Sequence, residues 1–175
     1  MVELRARIEA YLRSHHTMSV ATCGRPGAAG GSLPPGAVGG LSESLPTVVP
    51  HAATVFYAVD DALRLIFLSK GTSLHGTHIR EGSPVAVTVA EEFQAWREIQ
   101  GVQLWGEAVV LSGFERAAAL ATYVARFPFV RELLTDRRLA AALKGIEVFR
   151  VTPLRAAFTD NRSGLFGREV LELRD

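Results

Sequence analysis

The stretch Leu65–Val89 constrains this chain more than any other. It reads as an apolar strand, a polar turn, a short helix and a second apolar strand. The turn, Ser69-Lys70-Gly71-Thr72-Ser73, packs hydroxyls, an ammonium and a glycine into five residues at a helix start. A helix N-terminus presents unpaired N–H groups and partial positive charge, which suits a phosphate. Thr72 or Ser73 can cap the helix, and Gly71 permits close backbone approach. The plainer alternative is a strand-to-helix turn with an ordinary cap.

The rest of the chain reads mostly as strand. Leu4, Ile8, Tyr11 and Leu12 recur at helical spacing and predict a first helix. Thr17–Cys23 is a short strand. Ala52–Val59 and Leu63–Ser69 are β-rich runs joined by Asp60-Asp61-Ala62, a hairpin signal. Val85–Ala90 and a long Ile99–Ser112 follow, the latter with two glycines that allow bending around a barrel. Helices are predicted over Phe114–Ala125, stopped at Phe127-Pro128, and over Asp136–Lys144, ended by Gly145. Ile146–Thr152, Ala156–Asp160 and Val170–Leu173 close the chain as strands. Gly24–Pro50, rich in Gly, Pro and Ser, has no period and reads as a surface loop insertion within a single domain spanning 1–175. Hairpin spacing without repeated βαβ alternation argues a mainly β, antiparallel barrel with flanking helices.

Composition excludes several classes. A 48% apolar share over 175 residues fits one folded domain with a real core. A net charge of +1 gives no field for nucleic acid or a membrane surface. The only lysines are Lys70 and Lys144 in an otherwise Arg-based chain, which makes the one in the turn notable. A single cysteine, Cys23, leaves no intrachain disulfide and no cysteine zinc site. Met1–Arg13 is charged throughout and lacks the apolar core of a signal peptide, and no run approaches the ~18 apolar residues of a membrane span. A reducing, cytoplasmic setting is expected. His75 and His78 lie three apart but show no third ligand, so no metal is expected. A Gly-x-Ser-x-Gly elbow, a Gly-x-Gly-x-x-Gly fingerprint and a Walker-type phosphate loop are all missing from the sequence.

Three segments carry a family resemblance. They are the turn with the following Gly82-Ser83-Pro84-Val85-Ala86-Val87, the long run ending Gly106-Glu107-Ala108, and the tail Phe158-Thr159-Asp160-Asn161 with Phe166-Gly167-Arg168. Together they resemble the pyridoxamine phosphate oxidase-like, FMN-binding split-barrel superfamily, the tail resembling a small uncharacterised branch of it. The resemblance covers roughly residues 1–23 and 51–175. It implies an antiparallel split β-barrel, FMN as cofactor, a homodimer with the cofactor at the interface, and a small-molecule substrate or NAD(P)H.

Carried over residue by residue, the resemblance places Ser69 and Ser73 where Thr or Ser contacts the FMN phosphate and ribityl chain, with Thr72 beside them. His75 stands where many members have Lys or Arg, and Lys70 is positioned to supply the missing charge. Leu74-His75 in place of a frequent Arg-Lys pair is a departure. Ala53, Val55 and Tyr57 share one face of the strand that in the family lies under the isoalloxazine. In the long strand Val102, Leu104, Ala108 and Val110 alternate with Gln103, Trp105 and Glu107. Gln100 and Gln103 are both candidates to reach the flavin across the dimer. Asn161 and Arg168 belong to a tail that would sit near the partner's cofactor.

The function implied is an FMN flavoprotein, an oxidoreductase acting on an unidentified small molecule. The alternatives are a non-catalytic flavin carrier and a haem-binding split barrel. A true pyridoxamine phosphate oxidase is not expected. Tyr123 and Arg126 are only three apart, Phe127-Pro128-Phe129 follows where polar groups are wanted, and no histidine follows His78.

Overall fold

Runs of β-branched and small residues with apolar side chains at every second position make this a sheet protein. The computed structural model describes residues 2–24, 48–136, 138, 140–164 and 167–173. Seven antiparallel strands form one sheet: β1 (Thr17–Gly24), β2 (Val49–Val59), β3 (Leu65–Lys70), β4 (Pro84–Ala90), β5 (Gln100–Val110), β6 (Ile146–Asp160) and β7 (Arg168–Glu172). Their order is β3-β2-β1-β4-β5-β6-β7, and an additional β3–β6 pairing closes the sheet on itself. The result is an antiparallel split barrel with helices around it. These are α1 (Val2–Ser14), α2 (Leu74–Arg80), α3 (Gly113–Arg126), α4 (Phe129–Thr135) and α5 (Ala140–Leu143).

The period-two pattern decides which side chains fill the barrel. Met18 and Val20 of β1, Val85, Val87 and Val89 of β4, Val102 and Leu104 of β5, and Phe149 and Val151 of β6 are all buried in one cluster. Ile8 and Leu12 of α1 close it from one side. Phe67 and Phe149 stack at its centre with ring centroids 4.9 Å apart. Each fully buried side chain of this size contributes roughly 1.5–3 kcal/mol. A second cluster lies outside the barrel wall, where Ala119, Tyr123 and Phe127 of the α3 region pack on Ala58, Ile66 and Val148.

Four boundaries differ from expectation. The helix predicted over Asp136–Lys144 is shortened to α5, Ala140–Leu143, and an unpredicted helix, α4, precedes it and ends at Asp136. The cause is Pro128, which occupies the N-cap of α4 with helical backbone angles, φ −56° and ψ −29°. Proline fits a helix start as well as a stop. The two predicted strands 146–152 and 156–160 are one strand, β6, which passes through Pro153 because its register with β5 shifts between Trp105 and Gly106. An irregularity of this kind tolerates a residue without an N–H. Third, Gly24, Val49 and Pro50, assigned by sequence to the insertion, belong to the ends of β1 and β2, where Gly24 pairs with Val49 and Cys23 with Pro50. The rest of that insertion, 25–47, lies outside the described residues. Fourth, the Asp60–Arg64 turn delays β3 to Leu65. Asp60 Oδ1 accepts from the N–H groups of Ala62 and Arg64, and Leu63 takes φ +60° with its side chain buried.

Candidate functional site

The polar turn joins the end of β3 to α2. Ser73 is the N-cap of α2, its Oγ accepting from Gly76 N at 3.2 Å. Ser69 Oγ lies 3.4 Å from Ser73 Oγ and 2.7 Å from His75 Nε2. With the Ser69 hydroxyl donating to Ser73, His75 Nε2–H donates to Ser69 and Nδ1 is left as an acceptor. That Nδ1 is buried and has no hydrogen-bond partner among the described residues. Lys70 and Thr72 are exposed beside it. Gly76 is required by crowding, since a Cβ there would stand 2.9 Å from Gly71 O and 3.0 Å from Ser73 Oγ. Arg80 donates to Gly71 O and pairs with Glu147 of β6, which fastens the turn to the barrel. Because α2 has only seven residues, the side chains define this site more than the helix does.

Two further histidines join the turn. His51 of β2 stacks on His75 with ring centroids 5.8 Å apart and planes within 7°. His78 meets His51 edge-on at 6.2 Å, and its Nδ1 is 3.0 Å from Thr22 Oγ1 of β1. Gly24 leaves room for this ring, as a Cβ there would be 2.2 Å from His78 Nε2. Burial is the main force pushing both His75 and His78 below the ordinary histidine value, with the nearby His51 adding to it. His78 adds further to the depression of His75, while Glu81 partly opposes that of His78. Among the described residues no group of His, Cys, Asp and Glu is arranged to hold a metal ion.

The other residues singled out by sequence sit elsewhere. Ala53 and Val55 face the barrel interior and pack against its core. Tyr57 is 1% exposed and donates its hydroxyl to Leu12 O at 2.7 Å. Gln100 and Gln103 lie on β5. Gln103 sits on the outer face opposite Thr88, and Gln100 pairs with Asp160 at the far end of β6. Asn161 is buried there, its Nδ2 donating to Trp96 O at 2.8 Å. Arg168 of β7 places its guanidinium 5.6 Å from the Trp105 ring, and Arg155 stands 5.7 Å from the same ring. Along β6, Ser69 is level with Glu147 and Gln100 with Asp160, so the turn and the tail group occupy opposite ends of the strand. Phe166, quoted for the tail, lies outside the described residues.

Sequence reading missed His51 and Thr22 as members of the cluster. Their signal was present, since strand alternation puts both on the inward face, but only the β1–β2 register makes them neighbours.

A family model described as pyridoxamine 5'-phosphate oxidase matches residues 4–160. The chain belongs to this family. A UPF0306 protein from Serratia proteamaculans is 36% identical over 80 residues, covering 45% of this chain and 56% of that protein. The chain thus spans little more than half the length of this curated relative. Solved structures of similar fold include a haem-binding protein from Mycobacterium smegmatis (TM-score 0.62, 14% identity, 94% of this chain and 57% of that one). The haem storage protein HutZ from Vibrio cholerae matches with a TM-score of 0.61 at 13% identity, over 86% of this chain and 89% of that one. An FAD-binding protein from Mesorhizobium loti matches with a TM-score of 0.57 at 16% identity, over 87% and 91% of the two chains. At these identities the likeness is one of fold. Among the described residues no helix is long and apolar enough to cross a membrane.

Proposed function

We propose that this member of the family binds FMN as a homodimer and serves as a flavin-dependent oxidoreductase on a small molecule, with NAD(P)H as a reductant. The observation that carries the reading is the convergence of Ser69 Oγ, Ser73 Oγ and the His75 ring at the end of β3, next to exposed Lys70 and Thr72. Hydroxyl donors with a nearby ammonium match a phosphate monoester. In this reading Ser69, Thr72 and Ser73 donate to the phosphate, Lys70 balances its charge, and Gly71 and Gly76 keep side chains out of the way. FMN, when bound, supplies the reversible redox chemistry, and the chain supplies position and electrostatics.

Two observations support the dimer. First, the outer face of β2-β1-β4-β5 presents cross-strand rows Thr54-Ser19-Thr88-Gln103 and Ala52-Ala21-Ala86-Trp105. Across these four strands no charged residue stands in either row, Arg155 of β6 flanking the second beyond Trp105, so the face offers little like-charge repulsion to a second copy. Second, Gln100, Asn161 and Arg168 lie about thirteen residues along β6 from the phosphate turn, on the order of 40 Å of strand. In the FMN reading, the two groups that meet one cofactor then come from different subunits.

The substrate of a true pyridoxamine phosphate oxidase needs a second anion site, and the side chains that would form one are engaged otherwise. Arg126 donates to the carbonyls of Arg13 and His15, and Tyr123 is buried with its hydroxyl toward Phe56 O. A peroxide-release assay with pyridoxamine phosphate is expected to show no turnover.

The visible spectrum of the purified protein tests the reading directly. Flavin absorption is expected, with FMN bound at least tenfold more tightly than riboflavin, which matches a lost charge-assisted hydrogen bond of ~1.5 kcal/mol or more. Anaerobic reduction by NADH or NADPH then separates an enzyme from a carrier. A haem Soret band, or equal affinity for FMN and riboflavin, overturns the assignment.

A further inference from the structure

Phosphate sites usually hold a permanent cation, and Arg or Lys supplies it. The ring closest to Ser69 here is a histidine, buried to 6% exposure, whose Nδ1 has no partner among the described residues. His51 lies parallel to it at 5.8 Å, and His78 continues the group at 6.2 Å from His51. Three imidazoles from two elements therefore share one end of the barrel. Charged and titratable groups on the elements around them are few. Lys70 of β3 is exposed, and Glu147 of β6 is committed to Arg80 of α2. Glu81, at the end of α2, bears on His78. From β1 the only titratable group is the Cys23 thiol, 3.5 Å from Ser83 Oγ. Glu107 of β5 faces outward beside Pro84. Phe67 and Phe149 supply the remaining wall, their rings 6.1 and 6.5 Å from that of His75. A proton entering His75 alone would create a buried cation with no carboxylate paired to it among the described residues.

We propose that the site takes up a proton together with its ligand: a phosphate monoester docking on Ser69 and Ser73 is neutralised by protonation of His75, so affinity for the phosphate rises as pH falls. This rests on the FMN reading above and adds its regulation. The proton comes from solvent and lands on Nδ1, because Nε2–H already faces Ser69. No covalent bond to the ligand forms. A ligand that favours the protonated form of a group must bind more tightly where that group is protonated, by at most about tenfold per pH unit for one proton. The ligand's own phosphate gains a proton near pH ~6, which weakens binding on acidification. With Lys70 as the sole cation facing the phosphate, acidification would therefore give the opposite slope.

The test is calorimetric titration of the whole protein with FMN and with riboflavin between about pH 8.5 and 6.5, the approach to the ordinary histidine range. Each titration is run in two buffers of different ionisation enthalpy, which counts the protons taken up. The expected result is a three- to tenfold gain in FMN affinity per pH unit on acidification (~0.5–1 proton bound), with neither effect for riboflavin. His75→Lys is expected to lose both the slope and the proton uptake in whatever FMN binding it retains. If that variant misfolds, the proton count on the wild-type protein stands by itself. FMN binding with no proton uptake, or a His75→Lys variant that keeps the wild-type slope, overturns the proposal and leaves the FMN reading intact. Absence of FMN binding at every pH overturns both.

Discussion

His75 and His78 are held neutral by where they sit, and that has a sign in pH. Their folded-state values lie below the ordinary one near 6.5, so the unfolded chain binds more protons in the interval between. Their contribution to stability is complete above about pH 6.5 and is lost as pH falls through the depressed values. Thermal melts of the ligand-free protein are expected to show a falling Tm on acidification below pH ~6.5, and His75→Gln should flatten the fall. An unchanged slope in that variant would place the titrating group elsewhere. Ser73→Ala tests a second residue. Loss of the N-cap bond to Gly76 should cost about 1 kcal/mol of stability, and loss of a phosphate donor should weaken FMN binding roughly tenfold. Riboflavin binding is the control and should hardly change. At this scale the turn itself was legible, because Ser69, Thr72 and Ser73 are local in sequence. The histidine cluster was not, because His51 meets Thr22 only through β1–β2 pairing and His78 meets Thr22 only through a side-chain hydrogen bond between residues 56 apart.

At the scale of elements, the β5–β6 pair shows what a single glycine holds in place. A Cβ on Gly106 would lie 2.1 Å from Thr152 O and 2.9 Å from the Cα of Pro153. Both neighbours are backbone within a paired strand and have little room to give. Gly106→Ala is expected to cost about 1–3 kcal/mol or more and to lower Tm by several degrees in a calorimetric scan. Gly101→Ala on the same strand is the comparison, since its Cβ would meet nothing closer than 3.3 Å and the change should be milder. Equal losses in the two variants would remove crowding as the explanation. Strand existence was largely readable from alternation, and β1, β2, β4 and β5 fall close to their predicted spans. The continuity of β6 was not readable, because Pro153 breaks the local pattern while the partner strand accommodates it. The helix after Phe127 failed for a related reason. A proline names a boundary without saying on which side the next helix lies.

For the whole molecule, the charge-free outer rows predict that assembly fails when charge enters them. Wild type is expected to sediment as a dimer at micromolar concentration, with more than about 2,000 Å² buried. Ala21→Arg or Ala86→Arg, both outward on adjacent strands, should give a folded monomer with weakened FMN binding. A variant that remains dimeric would mean that another face is the interface. Closure of the barrel was foreseeable only in outline, since it depends on the pairing of β3 with β6. That pairing also sets a schedule for the chain as it is made. Residues 65–70 and 146–151 are partners, so β3 keeps one edge open until the second run has been synthesised. At roughly 5–20 residues per second the wait is on the order of several seconds. During that time the nascent sheet has two unpaired margins, β3 and β5, each rich in strand-forming residues and open to mispairing. The last long strand seals both at once, which makes folding of the barrel an event of late synthesis and exposes the unfinished chain to capture by chaperones.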